Sequence, residues 1–225
     1  MNSNSLRLGM PVLAGLAAAL IAMPAVAQEP EHSVKILPGA TEAAPASPVP
    51  AISPVRIELL NSSVKVENSA GVSLDLIPNL EVIAGSKIGF RITTKKPGYL
   101  ILVDVDASGK LTQIFPNATA ATQGARATSN LVRPGRPLTI PQLGTPYAGF
   151  EFVAEPPAGI AMVVALLSDK PVQVVDLPDA PAPSFAPGDT LKYVRDQART
   201  LRVPGEGGGL QQPNWSFDGK FYLIK

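Results

Sequence analysis

The chain has 225 residues, with 19 basic and 18 acidic side chains, one histidine and no cysteine. Without cysteine it cannot use a cysteine nucleophile, a thiolate metal site or disulfide redox chemistry. One histidine is too few for a zinc site built on several histidines, and a net charge near zero gives no electrostatic case for binding nucleic acid or an anionic membrane.

The first 27 residues have the order of a secretory signal. Arg7 is their only charge, an apolar run follows, and Ala25-Val26-Ala27 forms a small-x-small motif before Gln28. The alternative is a membrane anchor, which needs roughly 20 consecutive apolar residues, and Pro11 and Pro24 bracket a shorter run. The sequence therefore predicts cleavage after Ala27, a periplasmic or secreted protein, and no transmembrane segment after cleavage.

Residues 28–54 contain six prolines, and alanine and small polar residues fill much of the remainder. Proline removes a backbone donor and fixes φ, so this composition predicts a disordered, semi-extended tether. His32 lies in this stretch. A Ser-His-Asp triad needs a histidine held rigidly beside the serine, so we expect His32 to be a solvated tail residue.

From Val55 to the end at residue 225 the pattern predicts a single β-domain. Apolar and polar residues alternate over residues 55–59, 64–66, 72–76 and 88–92, as in strands with one solvated face. Two runs, 99–105 and 161–167, are apolar on both faces, which favours central strands covered on both sides. Further strands are predicted at 110–115, 137–141, 149–154, 171–175 and 220–225. The expected fold is all-β, an antiparallel β-sandwich or a partly open barrel.

One helix is predicted at 189–202, inside an insertion at 179–214 that precedes the last strand at 216–225. Asp189 is a suitable N-cap. Four apolar residues recur at helical spacing and predict the docked side: Leu191, Val194, Ala198 and Leu201. Four cations share the neighbouring face: Lys192, Arg195, Arg199 and Arg202. This basic stripe has two interpretations, a surface that steers an acidic partner or an ordinary solvated helix face.

The segment from Asp104 to Gly109 matches the first half of a calcium-binding loop, with Asp104, Asp106 and Ser108 at ligand positions. Such a loop ends in a bidentate glutamate at position 12, which here is Phe115. The favoured interpretation is a hairpin turn at 106–109, in which Asp106 caps its own turn and Gly109 supplies a positive φ. Asp104 is predicted to bond backbone near the strand end. We expect no metal and no cofactor.

Two further features remain open. Trp215, the one tryptophan, is either a core residue beside the last strand or a platform for a sugar or a partner. Loop or strand-end carboxylates occur at Glu151, Glu155, Asp169, Asp176 and Asp179. A glycosidase needs two carboxyl groups at a fixed separation across a cleft, and the sequence does not pair any of these.

Three segments, residues 95–117, 130–141 and 150–174, resemble an uncharacterised bacterial family, domain-of-unknown-function family 4384. The features that carry the resemblance are the Gly98-Tyr99-Leu100 strand, the Gly109 turn and the Phe115-Pro116-Asn117 stop, in that order. It covers about residues 80–176, and the closing strand also fits. The family occurs in secreted proteins and beside serine/threonine kinase or caspase-like peptidase domains. The resemblance implies an extracytoplasmic β-domain and no catalytic residues.

These observations favour a non-catalytic periplasmic or secreted module that binds a protein or another component of the bacterial envelope. A carbohydrate-binding module is an alternative, but such modules present several aromatic residues and aromatics are 5% of this chain. A carboxylate-based hydrolase is less favoured, and a cleft that brings two carboxylates together would support it.

The exported form is predicted to begin at Gln28, because the small residues before it fit the site that signal peptidase cleaves. N-terminal sequencing of the extracytoplasmic fraction measures this directly. An exported protein that retains Met1 would contradict the prediction.

Overall fold

The computed structural model describes residues 54–63, 67–117, 130–141, 151–183, 187–205 and 207–225. The predicted signal, its cleavage site, the tether up to residue 53 and the predicted strand at 64–66 lie outside these ranges. Contacts divide the chain into two units, 1–47 and 48–225, and every described residue is in the second. No helix within the described ranges is long and apolar enough to cross a membrane.

The described residues form two helices and twelve strands. The helices are α1 (Pro54–Ser63) and α2 (Pro187–Thr200). The strands are β1 (Ser73–Ile77), β2 (Glu81–Val82), β3 (Lys87–Thr93), β4 (Gly98–Val105), β5 (Leu111–Phe115), β6 (Leu131–Val132), β7 (Leu138–Ile140), β8 (Phe152–Val153), β9 (Gly159–Ser168), β10 (Val203–Pro204), β11 (Leu210–Gln211) and β12 (Trp215–Ile224).

Two sheets make up the body of the domain. The large sheet has the order β2-β12-β9-β4-β5, with β6 also paired to β4. The small sheet has the order β1-β3-β7, with β8 also paired to β3, while β10 and β11 form a separate hairpin. The pairs are antiparallel except for β12 with β2, which is parallel. The prediction of an all-β, sandwich-like fold is confirmed, and the described strands do not close into a barrel.

Both faces of the large sheet are buried. Leu102 and Val163 face the small sheet, where they join the core around Phe90. Their neighbours Val103 and Val164 face the opposite way, into a second core that the two helices cover. The prediction that β4 and β9 are central strands covered on both sides is therefore confirmed.

Residues 55–59 belong to α1, so the strand predicted there is wrong. Pro54 is the first residue of the helix, a position where its missing N–H costs nothing. Ile57 is fully buried and Leu60 packs against the same core, whereas Leu59 is 64% exposed. The strand was predicted from only three alternating apolar residues in 55–59. So short a pattern does not distinguish the two-residue period of a strand from the helical spacing of Ile57 and Leu60.

Helix α1 and Glu67 cover the outer edge of β12 beyond the short β2. The Phe221 N–H donates to Asn61 Oδ1 at 2.8 Å, and Asn61 Nδ2 donates to the Phe221 carbonyl at 3.1 Å. The Phe217 N–H donates to the Glu67 carbonyl at 3.0 Å. An edge with unpaired backbone groups invites pairing with another chain, and these contacts satisfy that edge internally.

The segment 171–175 is not a strand, contrary to the prediction. It lies beside β5, but a side chain takes the place of the backbone ladder. Gln113 Nε2 donates to the Gln173 carbonyl at 2.8 Å, and the Val175 N–H donates to Gln113 Oε1 at 2.9 Å. Gln113 thereby supplies the donor and the acceptor that a neighbouring strand would supply, so the alternating pattern is present without strand pairing.

Helix α2 is confirmed, and it begins two residues earlier than predicted, so Asp189 lies in its first turn and is not the N-cap. Leu191, Val194 and Ala198 are buried on the large sheet, as predicted. The close approach of α2 to the large sheet depends on Gly219 of β12, because an added Cβ there would lie 3.1 Å from Leu191 Cδ1.

Replacing Asn61 with alanine is expected to destabilise the domain by about 1–3 kcal/mol, because the N–H and C=O of Phe221 lose their partners inside the fold. Ser62→Ala is the matched control, since the exposed Ser62 hydroxyl bonds only within its own helix, and a change within about 0.5 kcal/mol is expected there. Urea unfolding measures both, and equal midpoints for the two variants would contradict the role given to Asn61.

Candidate functional site: an acidic cleft between the sheets

The β4–β5 hairpin forms one rim of the site. Asp106 Oδ1 accepts hydrogen bonds from the Ser108 N–H at 2.8 Å, the Ser108 hydroxyl at 2.6 Å and the Lys110 N–H at 3.0 Å. Gly109 has a φ of 99°, a region that favours glycine. The predicted turn at 106–109, capped by the Asp106 carboxylate, is confirmed.

Asp104 lies on the inner face of β4 and is only 8% exposed. The Tyr222 hydroxyl donates to Asp104 Oδ1 at 2.9 Å, so the prediction of a bond to backbone is wrong. Tyr222 belongs to β12, and its side chain reaches across β9, where the residue opposite it is the small Ala161. Asp104 Oδ2 accepts no hydrogen bond from the residues that the structure describes.

Asp104 and Tyr222 line a cleft of about 560 Å³. One side is the inner face of the large sheet, which contributes Thr112 and Ile114 of β5. The other side is the segment 151–156, which carries β8 at the end of the small sheet. The cleft thus opens where the two sheets diverge, and most of its lining side chains project from strands.

Among the residues that the structure describes, four carboxylates and one cation, Lys110, line the cleft. The carboxylates belong to Asp104, Asp106, Glu151 and Glu155. Lys87 donates to Glu151 at 2.6 Å, and both partners are more than half exposed. Glu155 has no ion pair within the described residues. The sequence indicated Glu151 and Glu155 as isolated carboxylates, and the structure brings them to the same cleft as Asp104.

Burial raises the pKa of Asp104 from 3.8 to about 7, while the hydrogen bond from Tyr222 opposes this and the charges of Asp106 and Glu155 add to it. Burial and the neighbouring Asp104 raise the pKa of Tyr222 well above its ordinary value. Tyr222 therefore stays a hydrogen-bond donor, and Asp104 exchanges a proton near neutral pH.

The predicted basic stripe of α2 does not line this cleft. Its first three cations surround one acid, Asp196, with shortest N–O distances of 2.9 Å from Lys192, 3.2 Å from Arg195 and 3.7 Å from Arg199. The hydrogen bond from Lys192 is the largest of the effects that lower the pKa of Asp196. Asp196 shares a face with the stripe, and the sequence prediction did not take it into account.

The two C-terminal arginines of the stripe make different contacts. Arg199 also pairs with Glu67. Arg202 Nη1 donates to the carbonyls of Thr200 and Leu201 at 3.0 and 3.1 Å. It therefore bonds to carbonyls at the end of the helix that have no hydrogen-bond partner within the helix.

Trp215 is 8% exposed and belongs to the core under the helices. Its ring stacks on Phe217 with centroids 6.4 Å apart. Its indole nitrogen has no hydrogen-bond partner in the described part of the chain. The buried ring presents too little surface for a sugar to stack on, so the geometry corresponds to the core interpretation.

The remaining sequence candidates are two loop carboxylates and the three residues considered for calcium. Asp169 holds Asn214 through the Asn214 N–H at 2.8 Å and Nδ2 at 2.7 Å, and Asp179 accepts the Leu111 N–H at 2.9 Å. Asp104, Asp106 and Ser108 belong to the hairpin. Across the described ranges, no group of three or more His, Cys, Asp or Glu side chains is placed to hold a metal ion.

This geometry defines a class of protein: a β-domain of two sheets with a ligand-sized cleft between them. Residues 81–171 match the sequence model of the family described as a domain of unknown function, DUF4384. This match confirms the resemblance to the family that the sequence indicated. The match runs from β2 to just beyond β9, so Asp104 lies inside it and Tyr222 outside. No curated protein and no solved structure matches the chain.

Asp104 is expected to make the domain less stable as pH rises. Its pKa is about 7 in the folded protein and 3.8 as an ordinary aspartate, so the folded state binds the extra proton between these values. This contribution to stability is full below about pH 4 and is lost as pH approaches and passes 7, by an amount on the order of 4 kcal/mol.

Urea unfolding of the wild type and of Asp104→Asn between pH 4 and 8 measures this dependence. The asparagine keeps an acceptor for Tyr222 and cannot ionise, so the decline with pH should be much smaller in the variant. Glu58→Gln, on an exposed residue of α1, should follow the wild-type profile. Parallel profiles for the wild type and Asp104→Asn would refute the prediction.

Proposed function

We propose that the protein is a non-catalytic binding module that acts outside the cytoplasm, in the periplasm or after secretion. Its partner is a protein or another component of the cell envelope, and the cleft between the sheets is the place where the partner binds. The observation that carries this proposal is the cleft itself, a cavity of about 560 Å³ within the range of about 300–1,000 Å³ that is typical of ligand sites.

The composition of the cleft supports binding. Phe152, Val153 and Ile114 give it an apolar wall, and Asp104 and Tyr222 place polar atoms at its base. Ligand sites combine these two features, since the apolar wall supplies affinity and the few polar groups fix orientation. Strands hold most of these side chains, so the site is formed before a ligand arrives.

The residue types support a non-catalytic role. The chain has no cysteine, and no described residue of the cleft is a histidine, the usual partner that activates a serine, threonine or cysteine nucleophile. The predicted signal sequence supports the location, and the predicted proline-rich tether would let a folded domain reach a partner in the envelope.

A carboxylate-based hydrolase is the second candidate, and one observation favours it. Asp104, with a pKa raised to about 7, lies near Asp106 and Glu155, whose charges contribute to that shift. A carboxyl group that holds its proton near neutral pH beside a second carboxyl group is the arrangement of a general acid and its partner. It ranks second because Asp104 is 8% exposed and its Oδ1 is engaged by Tyr222, which leaves little surface for a substrate atom.

A carbohydrate-binding module has less support. Trp215 is buried, and Phe152 is half-buried and packs on Phe90 at 5.4 Å between ring centroids. Sugar rings stack on flat, accessible aromatic faces, which neither residue offers.

Blocking the cleft tests the binding proposal. Thr112 is an exposed strand residue on the cleft wall, and Thr112→Trp is expected to fill the cleft without disturbing the core. Ser73→Trp is the matched control, at an exposed strand position of the small sheet that does not line the cleft. The full exported chain and both variants are used to capture partners from an envelope extract.

A partner that the wild type and Ser73→Trp capture, and that Thr112→Trp loses, is the expected result. Equal capture by all three proteins would place the partner elsewhere on the surface and overturn the assignment of the cleft. Turnover of a captured component that stops in Asp104→Asn would favour the hydrolase.

A further inference from the structure

We propose that the cleft recognises a cationic nitrogen group, an amine or a guanidinium, carried on an apolar stem. This inference deepens the proposed function and rests on it, since it names the chemistry of the ligand in the same cleft. The observations that carry it are the charges of the described lining residues, an Asp104 oxygen that accepts no hydrogen bond from them, and the apolar wall.

Among the described residues of the lining, carboxylates outnumber cations. Of the four carboxylates, only Glu151 has a basic partner in the described part of the chain, the exposed Lys87, and Lys110 is the one cation among the described lining residues. The exported chain has no net charge by the predicted cleavage, since removing Arg7 leaves 18 basic and 18 acidic residues. The negative potential is therefore local to the cleft, and local potential is what selects a ligand of opposite sign.

Asp104 supplies a second observation. The residue is more than nine-tenths buried, it lines the cleft, and its only hydrogen bond within the described residues is the one that Oδ1 accepts from Tyr222. A donor that enters the cleft would give Oδ2 a hydrogen-bond partner. An N–H of an ammonium or guanidinium group is the strongest donor to a carboxylate.

The apolar wall fits the rest of such a ligand. Phe152 and Val153 of β8 face Ile114 of β5 and Ile224 of β12 across the cleft. Long cationic side chains bury their methylene stems along apolar surface and place the charged head in a polar site. A stem between these strands would direct its head towards the Asp104 side, and Glu155, exposed at the rim, would meet it at the entrance.

The affinity should depend on pH, because a cation binds ionised Asp104 better than protonated Asp104. The charged or titratable groups around it are Tyr222 of β12, Asp106 and Lys110 of the hairpin, and Glu151 and Glu155 beside β8. Tyr222 keeps its proton throughout. With a pKa near 7 for the free protein, affinity should rise by up to about tenfold from pH 6 to pH 8.

Two sources can supply this chemistry, a lysine or arginine side chain of a protein partner and a free polyamine. The test uses titration calorimetry on the full exported chain with four probes. Three are end-blocked trilysine, end-blocked triarginine and spermidine. The fourth, end-blocked tri(acetyl-lysine), keeps the stem and removes the charge.

The variants are chosen to keep the fold. Glu155→Gln removes an exposed charge that has no partner in the described residues, and weakening of about two- to fivefold is expected. Asp104→Asn is expected to abolish the rise in affinity with pH. Glu58→Gln removes an exposed charge on α1 and is expected to leave both properties unchanged.

Cationic probes that bind while the acetylated peptide does not, with both cleft variants affected, support the proposal. Tighter binding of the peptides than of spermidine assigns the source to a protein side chain, and the reverse assigns it to a polyamine. Equal weakening by Glu155→Gln and Glu58→Gln would mean unspecific attraction and overturn it. No binding of any probe, while Thr112→Trp still loses an envelope partner, would overturn the ligand class and leave the binding function intact.

Discussion

The double burial of the large sheet is the constraint on which the rest of this structure depends. Strands β4 and β9 carry apolar side chains on both faces, so neither face can be left in water. The small sheet covers one face and the two helices cover the other. Elements that look like additions to a β-domain, α1 and the insertion with α2, are therefore required, because they bury the second face.

The edges of the same sheet impose a related requirement. The outer edge of β12 is satisfied by the Asn61 side chain and the Glu67 carbonyl, and Gln113 engages the segment beside β5. Both devices use side chains or loops in place of a further strand. They occupy the edges of the sheet where a further strand could otherwise pair.

Asp104 is the exception in this apolar layer, and it connects the fold to the proposed function. A carboxyl group so deeply buried lowers the stability of the protein at neutral pH, and one hydrogen bond from Tyr222 offsets only part of that cost. A leucine or valine at this position would serve the core better. Polar groups that cost stability are concentrated at functional sites, and the cleft in front of Asp104 gives this one a role.

The sequence by itself determined the fold class, the central strands, the docked side of α2 and the turn at 106–109. Each of these depends on local information: a sustained run of buried residues, a helical period over several turns, or an aspartate and a glycine at fixed spacing. It could not determine the state of residues 55–59 or 171–175, where short patterns fit two structures and the partner side chains of Asn61 and Gln113 decided between them.

For the candidate site, the sequence drew attention to Asp104, Glu151 and Glu155 separately and offered no reason to join them. One available signal was the charge of Asp104 inside a strand that is otherwise apolar on both faces, which marks a residue in need of a partner. Only the tertiary structure supplied Tyr222, 118 positions away along the chain, because contact across β9 depends on strand order and register. Strand order is a property of the packed sheets, and the alternation of residues along any one strand does not encode it.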